Sequence, residues 1–318
     1  MKTKKIKILH IISEFRFGGI QRLVYDLVSA QIQNDGISPE ILVLDNKGEF
    51  EQEFEELNIH IYPINPRRTY LFNLKQLSKV IKCFKSNDII HFHGFHLYLA
   101  VLALLSKTKI IYTEHGNFAF GRKKKISDYI LHILRRYYYK CVADVVACNS
   151  RFTKEYLKDK WRVEGKHIKV VLNGSNTNLK CNDKKVNDIK VSFQNNFIIG
   201  TTSRLAGFKR IDRLIEAFEI FASNKQDVEL VIVGDGTEKN FLENTAIEKN
   251  LSNVFFTGFK SNVFDYQSAF DVCVFPSQNE PFGLVAVEAY SASKPVLVFE
   301  DGGGLIEIVS RCDSDDIV

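Results

Sequence analysis

Arg204 and Lys209 stand five residues apart in the segment FIIGTTSRLAGFKR, just past an apolar run and with Gly207 between them. Two cations at that spacing across a loop can converge on one diphosphate, the guanidinium as a planar fork and the ammonium as a point charge. Further on, SQNEPFGLVAVEAYSASKPVLVFEDGGG places Glu280 beside Pro281 and Gly283, residues that suit a tight turn into a helix, with Glu288 eight positions later. Glu280 can accept hydrogen bonds from sugar hydroxyls, and Glu288 can hold ribose hydroxyls from the adjoining turn. The backbone amides of Phe282, Gly283 and Leu284 would open that helix and favour an anionic or polarised ligand. A helix-terminal carboxylate and a solvated glutamate explain either acid alone, but not the whole string.

Two glycine turns extend the pattern. VELVIVGDGTEK ends a strand at Gly234, with Gly236 two residues on, and NVFFTGF ends another at Gly258 and Phe259. Such loops can hold a base through backbone groups and an aromatic contact. In the first half, Gly18 and Gly19 directly precede an amphipathic helix. They serve either a close approach to phosphate or a plain turn. The spacing is not G-x-G-x-x-G, and no convincing ribose-binding acid follows the second strand, which argues against a nicotinamide dehydrogenase.

Histidines close two strands of the first half, in H-F-H-G (His91, His93) and T-E-H-G (His115). His91 and His93 alternate and so share a strand face. Three histidines could ligate a metal, hydrogen-bond a substrate or simply pack. No carboxylate or cysteine cluster completes a metal site, so none is expected. The basic run from Arg122 and Lys123 to Lys125 opens an aromatic-rich helical stretch that suits an acceptor or a membrane surface, or is a solvated helix.

These residues need a scaffold that gathers strand ends. Short β-rich runs alternate with helical patterns, the signature of parallel α/β sheets, whose ligands sit at the carboxyl ends of strands. The strand candidates are IKILHIIS, EILVL, IHIYPI, DIIHFH, KIIYTEH, DVVACNS and IKVVLNG, then FIIGTTSR, VELVIVG, NVFFTGF, DVCVFPS and PVLVFE. A polar stretch separates the two sets. The expected organisation is therefore a Rossmann-like domain at 1–176, a linker at 177–195 and a second Rossmann-like domain at 196–318.

The composition fits a globular α/β protein, with 45% hydrophobic and 25% charged residues. Charge is uneven: residues 1–180 carry a net +13 and residues 181–318 a net −8. The basic half suits an anionic membrane surface or a phosphorylated substrate, and the acidic remainder argues against nucleic acid. The six cysteines contain no C-x-x-C pair and are expected as buried thiols of a cytoplasmic protein. The N-terminal apolar stretch is interrupted by Lys7 and His10 and reads as a strand rather than a leader. The run LYLAVLALL is far short of the roughly 20 residues that a membrane span needs.

EPFGLVAVEA, preceded by G-T-T-S-R-L-x-x-x-K-R and followed by G-G-G-x-x-E, resembles the family-four retaining glycosyltransferases of the GT-B fold. The resemblance takes in the N-terminal Gly-Gly, the T-x-H strand end and the turn at Asn173 and Gly174. It implies two Rossmann-like domains facing a cleft. Gly18 and Gly19 would lie near the donor phosphate, and His115, with His93 on the acceptor side, beside the transferred sugar. Arg204 and Lys209 would neutralise the leaving diphosphate, Glu280 would contact the sugar and Glu288 the ribose. Gly234, Gly258, Phe259 and the Phe282–Leu284 backbone would line the donor site.

The implied reaction is metal-independent transfer from a nucleotide diphosphate sugar, UDP ahead of GDP. The acceptor would be a saccharide or lipid-linked glycan at the inner face of the cytoplasmic membrane. No cofactor is implied beyond that co-substrate. Family members continue past the G-G-x-x-E segment, so the end at Val318 reads as a shortened C-terminus. Against transfer stand an idle sugar-nucleotide-binding remnant and a nucleotide-sugar epimerase.

Overall fold

The computed structural model describes residues 4–16, 18–45, 47–64, 74–116, 126–175, 181–194 and 196–311. The chain divides into two compact units, Met1–Gly174 and Ser175–Val318.

The first unit holds strands β1 (Ile6–Glu14), β2 (Ile37–Asp45), β3 (His60–Pro63), β4 (Ile89–Phe92), β5 (Lys109–Glu114), β6 (Val145–Cys148) and β7 (Ile168–Val170). Helices α1 (Gly19–Ile32), α2 (Glu51–Glu56), α3 (Leu74–Lys85), α4 (Leu97–Ser106), α5 (Ile126–Cys141) and α6 (Arg151–Trp161) connect them. The sheet order is β3-β2-β1-β4-β5-β6-β7, with every pairing parallel.

Its strands read as near-continuous apolar runs because both faces are covered. Leu9, Ile11, Leu42 and Leu44 enter one core with α3, α4 and α5, whereas Ile12, Ile41 and Val43 enter another with Val24 and Val28 of α1 and Phe54 of α2. The order reverses between β1 and β4, and crevices for ligands open beyond the carboxyl ends of strands at such a point.

The second unit repeats the plan with β8 (Phe197–Thr202), β9 (Val228–Val233), β10 (Val254–Gly258), β11 (Val272–Phe275) and β12 (Val296–Val298) in the order β10-β9-β8-β11-β12, again all parallel. Its helices are α7 (Asp183–Ser192), α8 (Ile211–Ala222), α9 (Lys239–Glu248), α10 (Val263–Ala269), α11 (Leu284–Ser291) and α12 (Gly304–Val309), with a 3-10 turn at Gly207–Lys209. Here the order reverses between β8 and β11. All twelve expected strands are present.

The stretch 177–195, expected as a linker, instead contains α7. Asn182 caps this helix by accepting the Lys185 amide, and Ile189 and Phe193 are buried in the core of the second unit. Only three or four apolar side chains in a polar segment are needed for one helical stripe, too few to stand out in the sequence. Among the cysteines expected to be buried, Cys83, Cys148 and Cys273 are, whereas Cys141 and Cys181 are exposed. Cys312 lies outside the described residues.

Candidate functional site

In the second unit the loops after β8 and β11, which flank the switch point, carry the expected cation and carboxylate. Lys209 Nζ lies 2.6 Å from Glu280 Oε2, and the two side chains are only 12% and 13% exposed. Further contacts tie these loops to each other and to the loop after β12. The Gln278 amide donates to the Phe208 carbonyl at 2.8 Å, and the Asn279 amide to the Asp301 carbonyl at 2.8 Å. The Asp301 carboxylate accepts both a two-bond grip from Arg213 (2.9 and 2.8 Å) and the Gln278 side-chain amide (2.9 Å). Asp301, Arg213 and Gln278 were not singled out from sequence. The only hint was an aspartate standing directly before the glycine run.

Arg204 sits on the same loop as Lys209 but is exposed, and its guanidinium has no partner among the described residues. The two cations therefore differ: one is held by a carboxylate and the other is open.

Close packing explains two of the glycines. At Gly234 (φ +145°), a Cβ would fall 1.8 Å from the Ser203 carbonyl oxygen, so only glycine lets this turn press against the Arg204 loop. At Gly283 (φ +95°), which caps α11, a Cβ would strike the Leu305 side chain at 2.2 Å. The Glu280 carbonyl is tied in turn to the Gly304 amide at 2.6 Å. Helix α11 begins with no capping side chain and no acidic residue in its first turn; the Ala286 amide already donates to the Gly283 carbonyl at 3.0 Å, which leaves the amides ahead of it for a ligand. Phe282 is buried and can contribute main chain alone. Leu284 and Glu288 are half-buried on α11, and Phe259 is exposed past Gly258, whose carbonyl accepts the Gly234 amide at 3.0 Å.

In the first unit the switch point gathers histidines. His93 Nδ1 lies 3.3 Å from His115 Nε2, which brings together the two expected residues. A third, His10 in the middle of β1, was read only as a polar interruption of the strand. It is fully buried, with Nδ1 3.0 Å from His93 Nε2 and Nε2 2.8 Å from Gln31 Oε1 of α1. His91 packs against His93 with ring centroids 4.0 Å apart and planes tilted by 36°, and its Nε2 lies 2.7 Å from Thr113 Oγ1.

Burial lowers the imidazole pKa of His10 and of His115 to about 4, the Glu114 carboxylate opposing the shift at His115. Burial, reinforced by mutual repulsion, takes His91 and His93 well below their ordinary value. The cluster is therefore neutral near pH 7.

A nitrogen from each of His10, His91 and His93 lies within 4.8 Å of the others, a spacing that could hold a metal ion. Both nitrogens of His10 and both of His93 are already within hydrogen-bond reach of partners, so a metal would have to break the His10–His93 contact. The donor set fits a hydrogen-bonded chain better than a ligand shell.

The turn that presents His115 is itself anchored. Buried Glu114 accepts the Gly116 amide at 2.9 Å, the Tyr139 hydroxyl at 2.7 Å and the Arg135 guanidinium. Arg135 lies among the rings of Phe95, Tyr112, Tyr139 and Trp161. At the start of α1, Gly18 is an extended N-cap without a side-chain bond, and no acidic residue occupies the first turn that Gly19 begins. Arg122 and Lys123, expected on the acceptor side, lie outside the described residues.

Residues 17–179 match the family model described as Glycosyltransferase Family 4, and residues 182–313 the model described as Glycosyl transferases group 1. An uncharacterized glycosyltransferase of Methanocaldococcus jannaschii is 31% identical over 273 residues, covering 81% of this chain and 70% of that protein. The capsular polysaccharide biosynthesis glycosyltransferase CapM of Staphylococcus aureus is 23% identical over 285 residues, covering 85% of this chain and 74% of its own. The crystal structure of Anabaena HepE in complex with UDP and glucose superimposes with a TM-score of 0.76 at 23% identity, covering 96% of this chain and 83% of that one. At that identity the likeness speaks for the fold.

Proposed function

Given that the chain belongs to glycosyltransferase family 4, we propose that it moves a sugar from a nucleoside diphosphate donor to a saccharide or lipid-linked acceptor, with retention at the anomeric carbon. The observation that carries this reading is the Lys209–Glu280 pair at the β8/β11 switch point, with an exposed Arg204 on the same loop as Lys209. An ammonium has three N–H donors. One serves Glu280, which leaves others for a phosphate oxygen without giving up the carboxylate.

As the glycosidic bond breaks, charge gathers on the departing diphosphate. Lys209, Arg204 and the leading amides of α11 stabilise that charge more than the bound ground state, which is what lowers a barrier. These cations take the charge-neutralising role, so the proposed step needs no metal. Glu280 holds a hydroxyl of the transferred sugar, Glu288 the ribose, and the turns at Gly234 and Gly258–Phe259 the base. On the same reading, His115 of the first unit, with His93 behind it, offers a hydrogen bond to a sugar hydroxyl, and the Gly18–Gly19 turn suits a phosphate. No side chain is assigned as a nucleophile, and the acceptor enters on the face that the leaving phosphate departs. UDP is favoured over GDP because the matching HepE structure is described with UDP. An acceptor in surface polysaccharide or glycolipid assembly is favoured by the likeness to CapM.

A peripheral membrane contact rests on the outer faces of two helices. Val101, Leu104 and Leu105 of α4 and Ile130, Ile133 and Tyr137 of α5 are exposed, and their unit carries the positive net charge. Among the described residues, no helix is long and apolar enough to cross a membrane.

Acceptor-dependent release of nucleoside diphosphate from a panel of UDP- and GDP-sugars tests the reading. The product's anomeric configuration and the effect of a chelator are read in the same assay. Binding without turnover would point to an idle remnant, and donor conversion without acceptor to an epimerase.

A further inference from the structure

Gln31, His10, His93 and His115 form one line of contacts: Gln31 Oε1 to His10 Nε2 at 2.8 Å, His10 Nδ1 to His93 Nε2 at 3.0 Å, and His93 Nδ1 to His115 Nε2 at 3.3 Å. A neutral imidazole has one nitrogen that donates and one that accepts. The direction of the first contact therefore fixes every later one. The Gln31 amide oxygen can only accept, so His10 carries its proton on Nε2 and leaves Nδ1 bare. Bare Nδ1 must receive a proton from His93 Nε2, and bare His93 Nδ1 must receive one from His115 Nε2.

We infer that Gln31 and His10 are positioning residues which, through His93, hold His115 in its Nε2–H tautomer and so present a bare Nδ1 as an acceptor for a substrate hydroxyl. The inference rests on the proposed transfer only for the identity of that hydroxyl. The order of protons along the chain stands on geometry.

Four observations support it. His115 Nδ1 has no partner among the described residues. Burial keeps the rings neutral, as a directional chain requires, since a doubly protonated imidazolium would have no acceptor to offer its neighbour. The charged group that opposes this at His115 is Glu114, whose carboxylate is already occupied by Arg135, Tyr139 and the Gly116 amide. The adjoining ring, His91, is engaged sideways by Thr113 and leaves the line undisturbed.

Nitrogen-15 spectra of the histidine-labelled full chain, which show the ring nitrogen that carries each proton, provide the test. Neutral Nε2–H tautomers are expected at His10, His93 and His115 between pH 6 and 8. Gln31→Leu removes the terminal acceptor, and all three rings should then gain Nδ1–H population together. Gln31→Glu keeps an acceptor at the same place and should restore the wild-type pattern.

If transfer is assayed as well, Gln31→Leu should lower kcat by roughly 10- to 100-fold with donor KM little changed, and Gln31→Glu should recover it. An Nδ1–H tautomer at His115 in the wild-type chain overturns the inference. So does a Gln31→Leu spectrum in which only His10 changes, or a joint shift of His10, His91 and His93 on adding zinc. Absence of turnover with the tautomer pattern intact would count against the transfer reading alone.

Discussion

Lys209 and Glu280 lie 71 positions apart in sequence and 2.6 Å apart in space, each largely hidden from solvent. Removing one member strands the other, which costs up to about 3 kcal/mol when burial is substantial. Lys209→Met and Glu280→Gln should therefore each lower the melting temperature as well as kcat/KM, the latter by roughly 100-fold or more if the pair serves the leaving group. The double variant should melt closer to wild type than the sum of the two losses. Wild-type turnover in both single variants would remove the pair from the site.

Nucleoside diphosphate should stabilise the chain in a thermal-shift experiment. At a hundred times its dissociation constant a ligand adds about 2.7 kcal/mol. For a unit of this size that corresponds to a rise of roughly 5–10 °C. Arg204→Ala should shrink the rise without altering the unliganded melting temperature, because its guanidinium is exposed and has no partner among the described residues. UDP should exceed GDP.

Gly234→Ala should be severe and Gly207→Ala mild. The first would drive a methyl group to 1.8 Å from the Ser203 carbonyl at a backbone angle that favours glycine, whereas nothing lies within 4 Å of a Cβ at Gly207. Melting curves and nucleotide affinity of the two variants decide it. Equal behaviour would mean that the Arg204 loop has room to yield.

Acid should weaken the first unit before the second. The imidazole of His10 is near 6.5 when unfolded and about 4 when folded, so the unfolded chain binds the extra proton first. Stability from this group is complete above about pH 6.5 and is lost as pH falls toward 4, by about 3 kcal/mol at full shift. His115 contributes in the same direction. Urea midpoints followed with pH should show this slope, and His10→Gln should flatten it. The same shifts predict no inflection from His115 in kcat/KM between pH 6 and 8.

Ile133→Glu with Tyr137→Glu should reduce cosedimentation with anionic vesicles while turnover of a short water-soluble acceptor stays unchanged. Both side chains are exposed on α5, so their replacement leaves the core intact. A wild-type chain that stays in the supernatant would dispose of the membrane contact.

Much of this was legible before the structure. The strands announced themselves because sheets covered on both faces demand unbroken apolar runs, and residues past their ends, such as Lys209, Glu280 and His115, followed from that placement. What escaped notice were residues whose meaning is purely tertiary. His10 looked like a blemish in a strand until α1 brought Gln31 over it. Asp301 and Arg213 meet across 88 positions, and no local spacing encodes that pairing. Helix α7 was missed because a single thin stripe satisfied its needs. Arg204 and Lys209 read in sequence as partners on one diphosphate, yet only Lys209 is already claimed by a carboxylate.

Because Asp301 clasps Arg213 and Gln278 at once, the bases of two loops share one fastening. Their motions are thereby yoked: a disturbance that frees one end slackens the other. Attempts to retarget such an enzyme toward a different donor would do best to vary the exposed Phe259 and leave the clasp alone.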